Sequence, residues 1–195
     1  MGSSVVAFGL RPLRTKGSKP YSGGLTQYTI AQGYATAIYQ GDMVCVSAGN
    51  LEVLTSGNFP GVLGVFMGCA YVDKTTKKPV FSNYYPASTS SYGFIDGSSK
   101  TVAYVCDDPD ATFLICSDAA VSAGDLGKNV SVSLATGSSY TGLSGMTLKA
   151  GTATAGAAAL RIVGLHKAAD NAWGDTGTML EVSLALKRDA YVSAR

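Results

Sequence analysis

From Thr26 onward, turn residues recur every 8 to 12 positions and separate short runs of β-branched or aromatic residues. No other feature constrains the fold as strongly, because this spacing is the rhythm of a sandwich or a barrel. The turns lie at Gly41-Asp42, Gly49-Asn50, Gly57-Asn58-Phe59-Pro60, Asp96-Gly97 and Asp108-Pro109. In them Gly supplies positive φ, Asn and Asp bond nearby backbone, and Pro fixes φ. The runs between predict strands over 34–39, 43–47, 51–54, 62–72, 80–83, 101–106, 112–116, 129–134, 160–167 and 178–187. Side chains alternate in Thr101-Val102-Ala103-Tyr104-Val105-Cys106 and in Val130-Ser131-Val132-Ser133-Leu134, as on a sheet with one buried face. Helix is expected only in short pieces: over 154–160, which is Ala-rich but weakened by Gly151 and Gly156, and as a turn near 117–123. The pattern gives an all-β fold, a barrel or sandwich body with little helix.

A chain of 195 residues and 20.0 kDa favours one domain and is long enough to bury a core. Charged residues are 14% of it, against roughly 25% in typical soluble domains, while 46% is hydrophobic. This excludes an intrinsically disordered chain and a charge-laced coiled coil. Gly, Ala, Ser and Thr contribute 24, 25, 21 and 17 residues, a bias that suits turns, tight strands and flat contact surfaces. No stretch of about 18 apolar residues occurs, which excludes a membrane-spanning helix. The apolar run from Val5 to Leu10 precedes the basic cluster, the reverse of a secretory signal, so synthesis and assembly in the cytoplasm are expected.

Charge is distributed unevenly. Residues 1–41 hold Arg11, Arg14, Lys16 and Lys19 and no acid, a side-chain charge of +4, against −2 for the remainder. Residues 1–24 also contain Arg11-Pro12, Lys19-Pro20 and Ser22-Gly23-Gly24 without periodicity, so they are expected to form an extended basic arm on a body spanning 25–195. Such an arm suits an acidic protein surface or phosphates. The Tyr-, Ser-, Asn- and Lys-rich stretch 73–100 reads as a projecting hairpin or loop excursion, with Tyr84, Tyr85, Tyr92 and Phe94 as a candidate interface patch.

Reactive chemistry is hard to find. Asp107-Asp108-Pro109-Asp110 offers three carboxylates that suit either a hard cation or a turn whose Asp side chains cap backbone amides. The only histidine, His166, has no Gly-x-Ser-x-Gly elbow to serve, and it reads as structural rather than as part of a hydrolase triad. The Gly-rich spots match neither a Walker loop nor a dinucleotide fingerprint, and no cofactor is expected. Four basic residues near Tyr21, Tyr28 and Tyr34 give too little positive charge for firm nucleic-acid binding. Cys45, Cys69, Cys106 and Cys116 lack zinc-ligand spacing and sit among apolar residues, as reduced buried thiols would. A Cys106–Cys116 bridge across a hairpin is the alternative.

Several longer stretches resemble a known group. They are Tyr34-Ala35-Thr36-Ala37-Ile38-Tyr39-Gln40-Gly41-Asp42, Gly61-Val62-Leu63-Gly64-Val65-Phe66, Lys78-Pro79-Val80-Phe81-Ser82-Asn83-Tyr84-Tyr85-Pro86-Ala87-Ser88-Thr89, Ala103-Tyr104-Val105-Cys106-Asp107-Asp108-Pro109-Asp110-Ala111-Thr112-Phe113, and Leu160-Arg161-Ile162-Val163-Gly164-Leu165 with Asp170-Asn171-Ala172-Trp173-Gly174. Over most of residues 30–187 the chain resembles tailed-bacteriophage virion proteins, in particular capsid decoration or cement proteins. The resemblance implies a non-enzymatic, β-rich protein on the capsid exterior. It implies a homotrimer or dimer that clamps neighbouring copies of the major capsid protein. Arg11, Arg14, Lys16 and Lys19 lie outside the resembling region and are the candidates for pairing with shell carboxylates. The competing expectations are another virion component (a head fibre base, tail tube or spike protein) and a small hydrolase using His166.

Overall fold

The computed structural model describes residues 6–15, 19–55, 61–87, 101–156 and 158–185. In chain order the strands are β1 (Arg11–Thr15), β2 (Lys19–Pro20), β3 (Thr26–Ile30), β4 (Ile38–Tyr39), β5 (Met43–Ser47), β6 (Asn50–Val53), β7 (Val62–Val72) and β8 (Pro79–Ser82). There follow β9 (Tyr84–Tyr85), β10 (Thr101–Cys106), β11 (Ala111–Cys116), β12 (Asn129–Val130), β13 (Val132–Ser133), β14 (Thr147–Leu148), β15 (Leu160–Leu165) and β16 (Met179–Leu184). The fold is nearly all β, as its sequence predicts, and five of the strands close into a barrel.

The barrel runs β10-β3-β6-β5-β7 and shuts where β7 pairs antiparallel with β10. Ile30, Val44, Leu51, Phe66, Ala103 and Val105 fill it. On β5, Val44 points into the barrel while Met43 and Cys45 belong to a second core outside it. Burial on both faces explains why Met43-Val44-Cys45 is apolar without alternation. Gly64 makes the closure possible: a side chain there would run into the Cys106 carbonyl and lie 2.9 Å from Val105 Cγ1.

A second sheet, ordered β12-β15-β16-β11-β1-β2, packs on the barrel wall. Phe113, Ile115, Ile162, Leu180 and Val182 supply its side of the intervening core, and Met43, Cys45 and Val65 supply the barrel's side. The barrel is thus sheathed along β5 and the first half of β7. The second half of β7 continues past β5 to pair with β8.

Within residues 1–24, the expected extended arm is corrected. Arg11–Thr15 is a paired strand, antiparallel to β11, and Leu10 is buried in the core between the layers. A register shift between Pro12 and Arg14 accommodates the proline, which has no N–H to contribute to a ladder. The Leu10 amide donates to the Gly41 carbonyl at 2.9 Å. Gly41 has φ +95°, and a side chain there would lie 2.7 Å from the Phe8 carbonyl. The 73–100 excursion is partly body: β8 joins β7, and β9 pairs with β4 to bring Tyr85 into the barrel core. The turns at Gly57-Asn58-Phe59-Pro60 and Asp96-Gly97 lie outside the described residues.

The short helices also differ from expectation. Thr154 exchanges backbone hydrogen bonds with Asn129 at 2.8 and 2.9 Å, so this stretch is held as a bridge beside β12 rather than as a helix. The helical turn falls at Ala123–Asp125, where the Ser122 side chain caps the Gly124 amide, while Ser117 bridges to Leu148.

Candidate binding surfaces

Of the four basic candidates near the N-terminus, the fold commits one internally. Arg14 reaches from β1 to Glu181 on β16 and forms an ion pair with its carboxylate. Glu181 is 7% exposed, and its other oxygen lies 3.6 Å from His166 Nδ1. Arg14 is therefore a fastener between strands, with its side chain 38% exposed. Arg11 lies 5.1 Å from the ring centre of Phe8, in cation–π contact. Lys19 is exposed on β2, and Lys16 lies outside the described residues. His166 is level with Met179, to whose carbonyl its amide donates.

The acidic run resolves as backbone capping and strand anchoring. Asp107 accepts hydrogen bonds from Thr26 Oγ1 and Tyr28 Oη, both at 2.8 Å, tying the end of β10 to β3. Burial, and then the Asp107 carboxylate, push the Tyr28 phenol up to about 12. Asp108 Oδ1 accepts from the Asp110 amide at 2.9 Å, an Asx turn. No group of three or more potential metal-binding side chains converges among the described residues.

Tyr85 is a packing residue, which corrects its assignment to an interface, whereas Tyr84 is half-buried. Tyr85 is 1% exposed and donates its hydroxyl hydrogen bond to the Tyr34 carbonyl at 3.0 Å. Tyr84 stacks on Tyr39 with ring centres 5.8 Å apart. The sequence marks these residues as aromatic but not as inward-facing; the signal is the pairing of β9 with β4, which sequence spacing does not show. Tyr92 and Phe94 lie outside the described residues.

The cysteines are buried thiols. Cys106 and Cys116 end strands of different sheets, so the hairpin bridge is corrected. Burial pushes the Cys69 thiol up to about 12.

Two features emerge that sequence reading does not single out. Asp42 is buried beside a cleft of about 200 Å³ lined by Thr36, Tyr39, Leu54, Leu134 and Met146. Burial pushes its carboxyl up to about 6, against the lowering effect of the Ser144 side chain and the Tyr39 amide, which donates at 2.8 Å. The other feature is the unsheathed side of the barrel. The register aligns Phe81 of β8 with Ala70 of β7, and Ala70 with Val102 of β10. Phe81 is 70% exposed, with its ring centre 5.5 Å from that of Tyr104. Pro79 and Val72 continue the row toward the hairpin tip. A side chain at Gly68 would lie 2.9 Å from the Ser82 carbonyl, and the Asn83 amide donates to the Thr141 carbonyl at 3.1 Å. That bond ties the turn carrying Tyr140, which is 98% exposed, to the same corner. Phe81 belonged to a stretch already read as aromatic and projecting; only its outward direction requires the fold.

No protein-family model, no curated protein and no solved structure matches this chain.

Proposed function

We propose that the protein is a non-enzymatic structural component of a phage virion. In this reading it decorates the outer surface of the head and stabilises contacts between copies of the major capsid protein. The observation that carries the reading is the apolar wall around Phe81, a large aromatic held outward on the strand that extends the barrel's sheet beyond β7. An exposed aromatic set among half-buried apolar neighbours suits contact with a partner surface. The sequence resemblance supplies the identity of the partner. A homotrimer or dimer would repeat such a face, so that individually modest contacts act together across several shell subunits.

The test is to prepare particles lacking this protein and image them by negative stain while challenging the heads with heat or osmotic shock. Heads that rupture under milder conditions, on particles with intact tails, are the expected result. Loss of tails or fibres with heads of unchanged strength would assign the protein to another part of the virion and overturn the proposal.

A further inference from the structure

Resting on that reading, the structure also points to which face grips the shell and what chemistry lies opposite. We propose that the outer wall formed by β8, β7 and β10, centred on Phe81, docks onto an apolar patch bordered by carboxylates on the shell protein.

Three observations converge on this face. The row Phe81, Ala70 and Val102, with Tyr104 against Phe81, is an apolar strip that crosses the second half of β7, beyond the half covered by the second sheet. One end of the strip is basic. The turn joining β7 to β8 carries Lys74, Lys77 and Lys78, all exposed. Its single acid, Asp73, is consumed by the turn: its Oδ1 accepts from the Thr75 amide at 2.9 Å, the Thr76 amide at 2.6 Å and the Thr76 hydroxyl at 2.9 Å. Lys77 lies in the field of Asp73, which leaves Lys74 and Lys78 as the net charge of the rim. An apolar centre with a cationic border is complemented by an apolar centre with an anionic border.

The third observation bears on the occupant. β8 is an edge strand, but it opens with Pro79 directly after Lys77-Lys78. Proline removes a ladder donor, and lysines at an edge discourage a second strand from adding there. A second copy joining edge to edge is therefore disfavoured, and contact runs through the face. Nucleic acid is also disfavoured, because the lysines cluster at one end of the strip and give no basic track along it for a phosphate backbone.

The experiment is co-sedimentation of the full chain with heads that lack it. Three variants are compared with the wild type: Phe81→Ser, the double charge reversal Lys74→Glu with Lys78→Glu, and Val163→Ser as a control at an exposed apolar position on the second sheet. All these positions are solvent-exposed, and unchanged urea midpoints would verify that the variants fold. Phe81→Ser is expected to weaken binding at least tenfold. The charge reversal should weaken it several-fold and reduce its salt sensitivity, while Val163→Ser binds like the wild type. Wild-type binding that survives both face variants would overturn this assignment and leave the functional reading standing. Failure of the wild-type chain to sediment with heads would instead overturn the functional reading. If Phe81→Ser leaves head binding intact but converts an oligomer to a monomer, or if single-stranded oligonucleotide displaces the chain from heads, the face belongs to another occupant and the assignment also falls.

Discussion

Asp42 carries its carboxyl group in a place where ionisation is disfavoured: it is 3% exposed, and its folded-state value of about 6 stands above the unfolded 3.8. Between those values the folded chain binds a proton that the unfolded chain releases. The resulting stabilisation is complete below the unfolded value and is lost as pH rises through about 6. Its size is on the order of 3 kcal/mol. Asn in place of Asp42 keeps an oxygen for the Tyr39 amide and abolishes the titration. Asp42→Asn is expected to match or exceed wild-type stability at pH 7 and to lose the pH 4–7 slope this carboxyl contributes. Urea unfolding across that range measures both, and an unchanged slope in the variant would refute the attribution. Asp125 occupies the same Gly-Asp-apolar tripeptide yet pairs with Lys128 at 3.0 Å on the surface. Local sequence writes the turn in both places, but the partner across the fold decides the electrostatics.

Among the elements, β1 depends most on distant residues. Removing its Arg14 leaves the Glu181 carboxylate buried, with the His166 imidazole 3.6 Å away. Losing one member of a fully buried pair costs about 3–5 kcal/mol. The Arg14 side chain is 38% exposed, so Arg14→Ala is expected to cost less, about 1–3 kcal/mol by chemical denaturation. Adding Glu181→Gln should restore part of that loss; a double variant no more stable than Arg14→Ala would show that the pair does not secure the strand. This strand was not legible in advance, because Arg11, Pro12 and Arg14 break every alternation and its neighbour lies about a hundred residues away. The strands at Met43–Ser47, Val62–Val72 and Thr101–Cys106 were legible to the residue, since their apolar runs end at turn chemistry. Thr26–Ile30 was missed because Gln27 and Thr29, facing outward, dilute the signal of Ile30. The predicted 34–39 shrinks to Ile38–Tyr39, where β9 alone provides a partner. The candidate site divides on the same ground: the aromatic stretch was readable, but which of its rings turns inward depends on pairing partners that no local pattern records.

Across the whole molecule, two cores share the wall built by β5 and β7; Cys45, Cys69 and Cys106 lie within them, and Cys116 is buried at the end of β11. Opening either layer exposes thiols that the native state shields. In native buffer at pH 8 the thiols are expected to react with an aromatic disulfide reagent at least a hundredfold more slowly than in denaturant, and burst labelling of even one thiol would contradict this packing. The arrangement also bears on how the chain is made. β3 to β10 lie between Thr26 and Cys106, so the barrel's strands leave the ribosome as a block and can close early. β1 emerges before all of them, yet it must wait for β11, and Arg14 waits a further stretch for Glu181, which lies 167 residues downstream. β1 is thus made before the barrel but secured after it, and a nascent chain interrupted before Ala111 carries all the barrel strands while β1 still lacks β11.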